Sequence, residues 1–126
     1  EPLWKSLMSD KAMLPILHEL FPHSPYILPA FFEPGKLSSY CRKPVFSREG
    51  ANIRLVRNGL LLEESGGEYG KEGHVYQQLV EIPAHNGWYP VIGSWVIGGE
   101  PAGIGIRETT SRITDNMSHF VPHIIL

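Results

Sequence analysis

Two dipeptides, Asn58-Gly59 and Gly98-Gly99, do most to limit what this chain can become. Both sit between short runs rich in β-branched, aliphatic and aromatic residues. Asn-Gly is the sequence form of a type I′ hairpin turn, because both central residues must accept positive φ, and Gly-Gly is a second hairpin signal. The runs themselves predict strands over 39–46, 52–57, 60–63, 74–82, 89–97 and 102–107, with a weaker one at 112–114. Ahead of them, Leu7, Met8, Met13, Leu14, Ile16, Leu17, Leu20 and Phe21 recur at helical spacing. Ser9 or Asp10 suits a helix cap, Pro15 falls in the tolerant first turn, and Phe21-Pro22 supplies a stop. The spacing predicts one helix over 11–20, with 4–8 as a separate turn. Pro22, Pro25, Pro29, Pro34 and Gly35 mark an irregular connection, and the glycine-rich stretch 65–73 reads as a surface loop. A helix followed by a mostly antiparallel sheet is an α+β arrangement.

Composition limits the setting more than the chemistry. At 126 residues with 42% hydrophobic content, the chain is one domain or part of one and can form a core without disulfides. The single cysteine, Cys41, has no internal partner for a bridge, which agrees with a cytoplasmic location. A net charge of −2 gives no general attraction to nucleic acid or anionic lipid. The longest apolar runs, 91–97 and 120–126, are far shorter than the ~20 residues of a membrane helix, and no signal peptide is visible. The abrupt start at Glu1-Pro2-Leu3-Trp4 and the apolar end Ile124-Ile125-Leu126 point to a piece of a longer polypeptide.

The densest chemical signal is Lys43-Pro44-Val45-Phe46-Ser47-Arg48-Glu49-Gly50-Ala51-Asn52, a strand carrying a lysine that runs into a small polar loop. Such a loop suits phosphate. Backbone N–H groups and Ser47 can approach phosphate oxygens because Gly50 and Ala51 have little side chain, while Lys43 and Arg48 supply charge. With little apolar area of its own, the loop 47–52 is expected to be mobile until a ligand orders it. The same pattern also fits an ordinary hairpin with solvated charges. In Gly103-Ile104-Gly105-Ile106-Arg107-Glu108, alternation places the two isoleucines on one face and Arg107 beside the two glycines on the other. His119 and His123 are four apart, but Pro122 and the β-rich surroundings argue against the helix a shared metal would need. Cys41 reads as a half-buried strand thiol, and Trp88, Tyr89 and Trp95 as core residues.

The order of several short motifs is more specific than any one of them. Glu1-Pro2-Leu3-Trp4, Lys11-Ala12, Leu20-Phe21-Pro22, Lys43-Pro44, Arg48-Glu49-Gly50-Ala51-Asn52-Ile53, Val75-Tyr76-Gln77-Gln78, Gly93-Ser94-Trp95, Ala102-Gly103-Ile104-Gly105-Ile106-Arg107-Glu108, Ile113-Thr114, Asn116 and Phe120-Val121-Pro122-His123 together resemble the C-terminal part of the glutathionylspermidine synthase family. The similarity spans nearly the whole chain, and within the family it most resembles the stand-alone homologues that lack an amidase domain.

This resemblance implies that residues 1–126 are a C-terminal piece of an ATP-grasp ligase, which activates a carboxylate as an acyl phosphate before an amine attacks it. For the namesake enzyme the substrates are the glycine carboxylate of glutathione and the polyamine spermidine. By resemblance, Lys11 and Lys43 hold ATP phosphates, Arg48 belongs to a phosphate-covering loop with Ser47, Gly50 and Ala51, and Arg107 faces the reacting group. Gln77, Gln78 and Leu79 fall where such proteins read adenine through the backbone. The family's Mg²⁺ ligands belong upstream of Glu1, so the piece on its own is expected to be inactive and to depend on the remainder of its polypeptide. The alternative from another class is a non-catalytic nucleotide- or ligand-binding domain that keeps the ATP-grasp shape. A P-loop hydrolase lacks its G-x-x-x-x-G-K-[ST] pattern here.

Overall fold

The computed structural model describes residues 2–124, in two compact units, Glu1–Val80 and Glu81–Leu126. In the first, a 3-10 helix at Leu3–Ser9 precedes helix α1 (Met13–Leu20). The helix starts two residues later than the spacing predicts, and neither Ser9 nor Asp10 caps it: Ala12 stands at the N-cap, without a side-chain cap bond. Asp10 Oδ1 accepts the Ala12 N–H at 2.8 Å, so the aspartate closes the turn at Lys11 and Ala12 that leads into the helix. Pro15 is the buried residue of α1, in the first turn where its missing N–H costs least.

Five strands follow: β1 (Ala30–Phe31), β2 (Tyr40–Pro44), β3 (Arg54–Arg57), β4 (Leu60–Glu64) and β5 (His74–Gln78). All pair antiparallel in the order β1-β5-β2-β3-β4. The β3–β4 turn has the positive φ angles its sequence requires, 48° at Asn58 and 78° at Gly59. β5 is shorter than the predicted 74–82, ending before the Leu79–Pro83 stretch. β1, within the proline-rich connection, was not expected. Its two residues become strand by pairing with β5, Ala30 with Gln77 and Phe31 with Tyr76.

Pairing across β2 puts Cys41 opposite Leu55 and Gln77, and Lys43 opposite Val75. One face of the sheet therefore carries Ala30, Leu55 and Val75, which are 2%, 7% and 0% exposed, along with Cys41, Lys43 and Gln77. Tyr40, Arg42, Arg54, Tyr76 and Glu64 lie on the other. There Arg54 grips Glu64 through two bonds of 2.9 Å, and Arg42 reaches the same carboxylate at 3.4 Å. The arginines hold the Glu64 carboxyl below the usual carboxylate range, chiefly through the Arg54 hydrogen bond. Tyr40 and Tyr76 meet edge to face at 5.5 Å.

The second unit is a long hairpin of β6 (Tyr89–Ile97) and β7 (Glu100–Thr109), joined at Gly98-Gly99, with β8 (His119–Val121) added to the far edge of β7. Gly98 and Gly99 have φ of 61° and 88°, as the dipeptide requires. Two expectations fail here. Residues 112–114 are not a strand, because Ser111 Oγ bonds both the N–H and the carbonyl of Ile113, curling the chain and burying Ile113 to 8% exposure. Trp95 is 62% exposed rather than a core residue. β8 pairs with only Ile106, Arg107 and Glu108, so beyond them β6 and β7 pair with each other alone, and Trp95 lies in that two-stranded stretch. Trp88 and Tyr89 are half-buried, Trp88 against His119 at 5.7 Å and Tyr89 beneath the Arg112 guanidinium at 5.2 Å. Among the described residues no helix is long and apolar enough to cross a membrane.

Candidate functional site

The first unit brings together cations that are far apart in sequence. Lys11, just ahead of α1, is tied to the end of β2 by its backbone, since its N–H donates to Val45 O at 3.0 Å. Its side chain runs the same way, and Nζ donates to the carbonyl of the buried Ser47, also at 3.0 Å. Lys43 lies on β2 itself, and its Nζ donates to Gln77 Oε1 at 2.6 Å. Lys11 feels its neighbours: burial foremost, then the charges of Lys43 and Arg48, pull its ammonium below the ordinary lysine value, with Asp10 opposing. The Lys43 and Arg48 charges thus lie near enough to act on Lys11, an arrangement that a polyanion relieves.

The loop carrying Arg48 is bent tightly, with positive φ at Glu49 (55°), Gly50 (73°) and Asn52 (55°), and closed by Ala51 N–H on Arg48 O at 2.9 Å. Its far half is clasped by the glycine-rich segment read from sequence as a plain surface loop. Asn52 N–H donates to Gly66 O, Asn52 Nδ2 donates to Gly67 O, and Asn52 Oδ1 accepts the Tyr69 N–H at 2.8 Å. Ser65 Oγ donates to Gly50 O and accepts the Ile53 N–H. The mobility expected of 47–52 is therefore narrowed by structure. Residues 50–52 are anchored and Ser47 is buried, which leaves Arg48 and Glu49 as the exposed apex. Ser65 and Gly67, which support the loop through Gly50, Asn52 and Ile53, are the residues that sequence reasoning missed. The available signal was that a long glycine-rich loop lying near a phosphate-type loop can be its support.

Ser47, Gly50 and Ala51 all belong to this loop, with Ser47 engaged through its carbonyl. Gln77 and Gln78 end β5. The backbone N–H of Gln78 donates to Pro29 O at 2.8 Å and that of Leu79 to Ser39 O at 3.3 Å. Gln77 acts here through its side chain, on Lys43. Cys41 shares that face, and burial raises its thiol above the usual value while the Lys43 charge draws it down. Arg107 belongs to the second unit, half-buried on β7 between Val91 and Phe120. Gly105, on the same face, leaves room between Trp95 and Phe120: a Cβ there would lie 3.7 Å from Trp95 Nε1 and 3.9 Å from Phe120 Cε1. Among the described residues no group of three His, Cys, Asp or Glu side chains is placed to hold a metal ion. The positive cluster fits phosphate, and this donor set does not fit Mg²⁺.

Comparison with known proteins matches residues 1–126 to the family model described as Glutathionylspermidine synthase preATP-grasp. A Haemophilus influenzae protein provisionally named an acid–amine ligase is 44% identical over 98% of this chain and 34% of its own length. Trypanothione synthetase of Crithidia fasciculata is 39% identical over 95% of the chain and 19% of its own. The bifunctional glutathionylspermidine synthetase/amidase of Escherichia coli is 33% identical over 100% and 21%. The chain thus spans about a third or less of the curated relatives it matches.

Proposed function

The chain belongs to the glutathionylspermidine synthase preATP-grasp family, and on that premise we propose that it is the C-terminal, nucleotide-holding part of a longer ATP-dependent ligase joining a glutathione-like peptide carboxylate to an amine such as spermidine. The observation that carries this reading is the convergence of Lys11, Lys43 and the Arg48 loop in one unit, where Lys11 Nζ bonds the Ser47 carbonyl beside Arg48 and Lys43 Nζ bonds Gln77. Phosphoryl transfer asks a protein mainly for positioning and positive charge. When bound, ATP supplies the phosphoryl group that activates the carboxylate as an acyl phosphate, from which the amine displaces phosphate.

The chain's residues bind and orient. Lys11 and Lys43 each keep donors of their ammonium groups for phosphate oxygens beyond the contact each already makes. Arg48, at the tip of the clasped loop with Gly50 and Ala51, covers the phosphates and limits the access of water. Residues 77–79 border the adenine. Mg²⁺ takes its ligands from the remainder of the polypeptide, and the enzyme works in the cytoplasm, without nucleic acid or membrane.

The test is nucleotide affinity in the full-length polypeptide. A charge-assisted contact to phosphate is worth about 1.5–3 kcal/mol, so Lys43→Ala and Lys11→Ala should each weaken the binding of Mg²⁺ and a non-hydrolysable ATP analogue about tenfold or more. Unchanged affinity in both folded variants would remove these residues from an ATP site and the reading with them.

A further inference from the structure

Gln77 occupies a place that the ligase reading leaves without a side-chain role. β5 lies between β1 and β2, so the register brings Gln77 opposite Cys41 and diagonal to Lys43, on the face they share. The resulting bond, Lys43 Nζ to Gln77 Oε1, is 2.6 Å long, part-buried, and links residues 34 apart in sequence. A lysine ammonium has donors only, which fixes the amide with its oxygen toward Lys43 and its NH₂ away.

The choice of an amide has a consequence. A free lysine has rotamer entropy that is lost when it is held against a ligand; a partner that holds it beforehand removes part of that loss. A carboxylate would hold it too, but would neutralise its charge and repel phosphate. A neutral acceptor restrains the ammonium and leaves its full charge and two donors free. We propose that Gln77 is a positioning residue, whose side chain pre-orients the Lys43 ammonium toward an anionic ligand without neutralising it. This rests on the reading of Lys43 as a phosphate ligand, but the contact itself is testable apart from that reading.

The experiment is a double-mutant cycle in the full-length polypeptide, with calorimetric titration of Mg²⁺ and AMP-PNP into wild type, Gln77→Met, Lys43→Met and the double variant. Thermal melts establish that each is folded, and ammonium-detected NMR reports on Lys43. Gln77→Met should raise Kd about three- to tenfold, the equivalent of one modest hydrogen bond, and should have no further effect once Lys43 is gone. The Lys43 ammonium resonance, slowed in exchange by its partner, should vanish in Gln77→Met. Gln77→Glu should keep that resonance yet bind the analogue more weakly than Gln77→Met, a divergence that a merely structural glutamine would not produce.

Additive losses in the cycle, an unchanged Kd in Gln77→Met beside a weakened Lys43→Met, or an ammonium signal indifferent to residue 77 would each overturn the proposal. If Lys43→Met itself binds as tightly as wild type, the phosphate reading is what fails, and a resonance still dependent on Gln77 supports the positioning contact on its own.

Discussion

Replacing Gly67 by alanine should unfasten the clasp under the Arg48 loop, because two independent features of the structure oppose a side chain there. Gly67 has φ of 151°, and a Cβ built on it would lie 2.4 Å from Asn52 Oδ1 and 3.0 Å from Ala51 Cβ. Asn52 cannot yield freely, since its side chain is held at both ends by Tyr69 N–H and Gly67 O. Left-handed backbone costs an L-residue about 1–2 kcal/mol, and each Asn52 hydrogen bond given up costs about 0.5–1.5 kcal/mol more. The sum is a loss of about 2–5 kcal/mol, a large share of the stability of an ordinary domain. Gly66→Ala is the control next door, because its Cβ would meet nothing within 4 Å and its φ is not in the left-handed range. Urea unfolding of the two variants and of Asn52→Ala measures the difference through the midpoints at constant slope. Gly67→Ala should fall well below Gly66→Ala. In an Asn52→Ala background its cost should shrink toward the backbone strain alone. Should Gly67→Ala unfold within about 0.5 kcal/mol of Gly66→Ala, the clasp is not rigid and the argument for an anchored loop fails.

Three further outcomes follow from the same geometry. Trypsin should cut after the exposed Arg48 in the nucleotide-free full-length protein and be blocked there by a bound ATP analogue; equal cutting with the analogue demonstrably bound would remove Arg48 from the lid. His74 has its imidazole pulled below the ordinary value by burial and then by the Arg42 charge, so the folded state binds fewer protons than the unfolded state just below pH 6.5. Stability should therefore rise with pH up to that point, and His74→Gln should flatten the rise in thermal melts across pH 5–7, whereas an unchanged slope would contradict the assignment. Residues 1–126 alone, spanning 34% or less of the relatives compared above, should release no ADP from MgATP above a buffer control, and release lost on Lys43→Ala would refute this.

What the sequence determined by itself is local. Asn58-Gly59 and Gly98-Gly99 turn where they stand because the required φ angles are a property of those residues, whatever lies around them. The helix and the strand on each side of those turns follow from spacing and torsional preference in the same way, and Lys43 could be placed on a strand leading into a tight polar loop. Alternation even told which residues share a face. It could not tell which strand lies next to which, because backbone hydrogen bonding is the same for any neighbour. Only the folded chain inserts β5 between β1 and β2 and turns two residues of the proline-rich connection into a strand. That order brings Gln77 to Lys43, while Lys11 reaches Ser47 across 36 residues of chain and the glycine-rich segment meets Asn52. It also left Trp95 in the open, since the burial of an alternating strand depends on a covering layer that its own pattern cannot specify. The chemistry was written in residue types, but their convergence comes from long-range contacts, whose energy must first exceed the entropy of closing the loops between them.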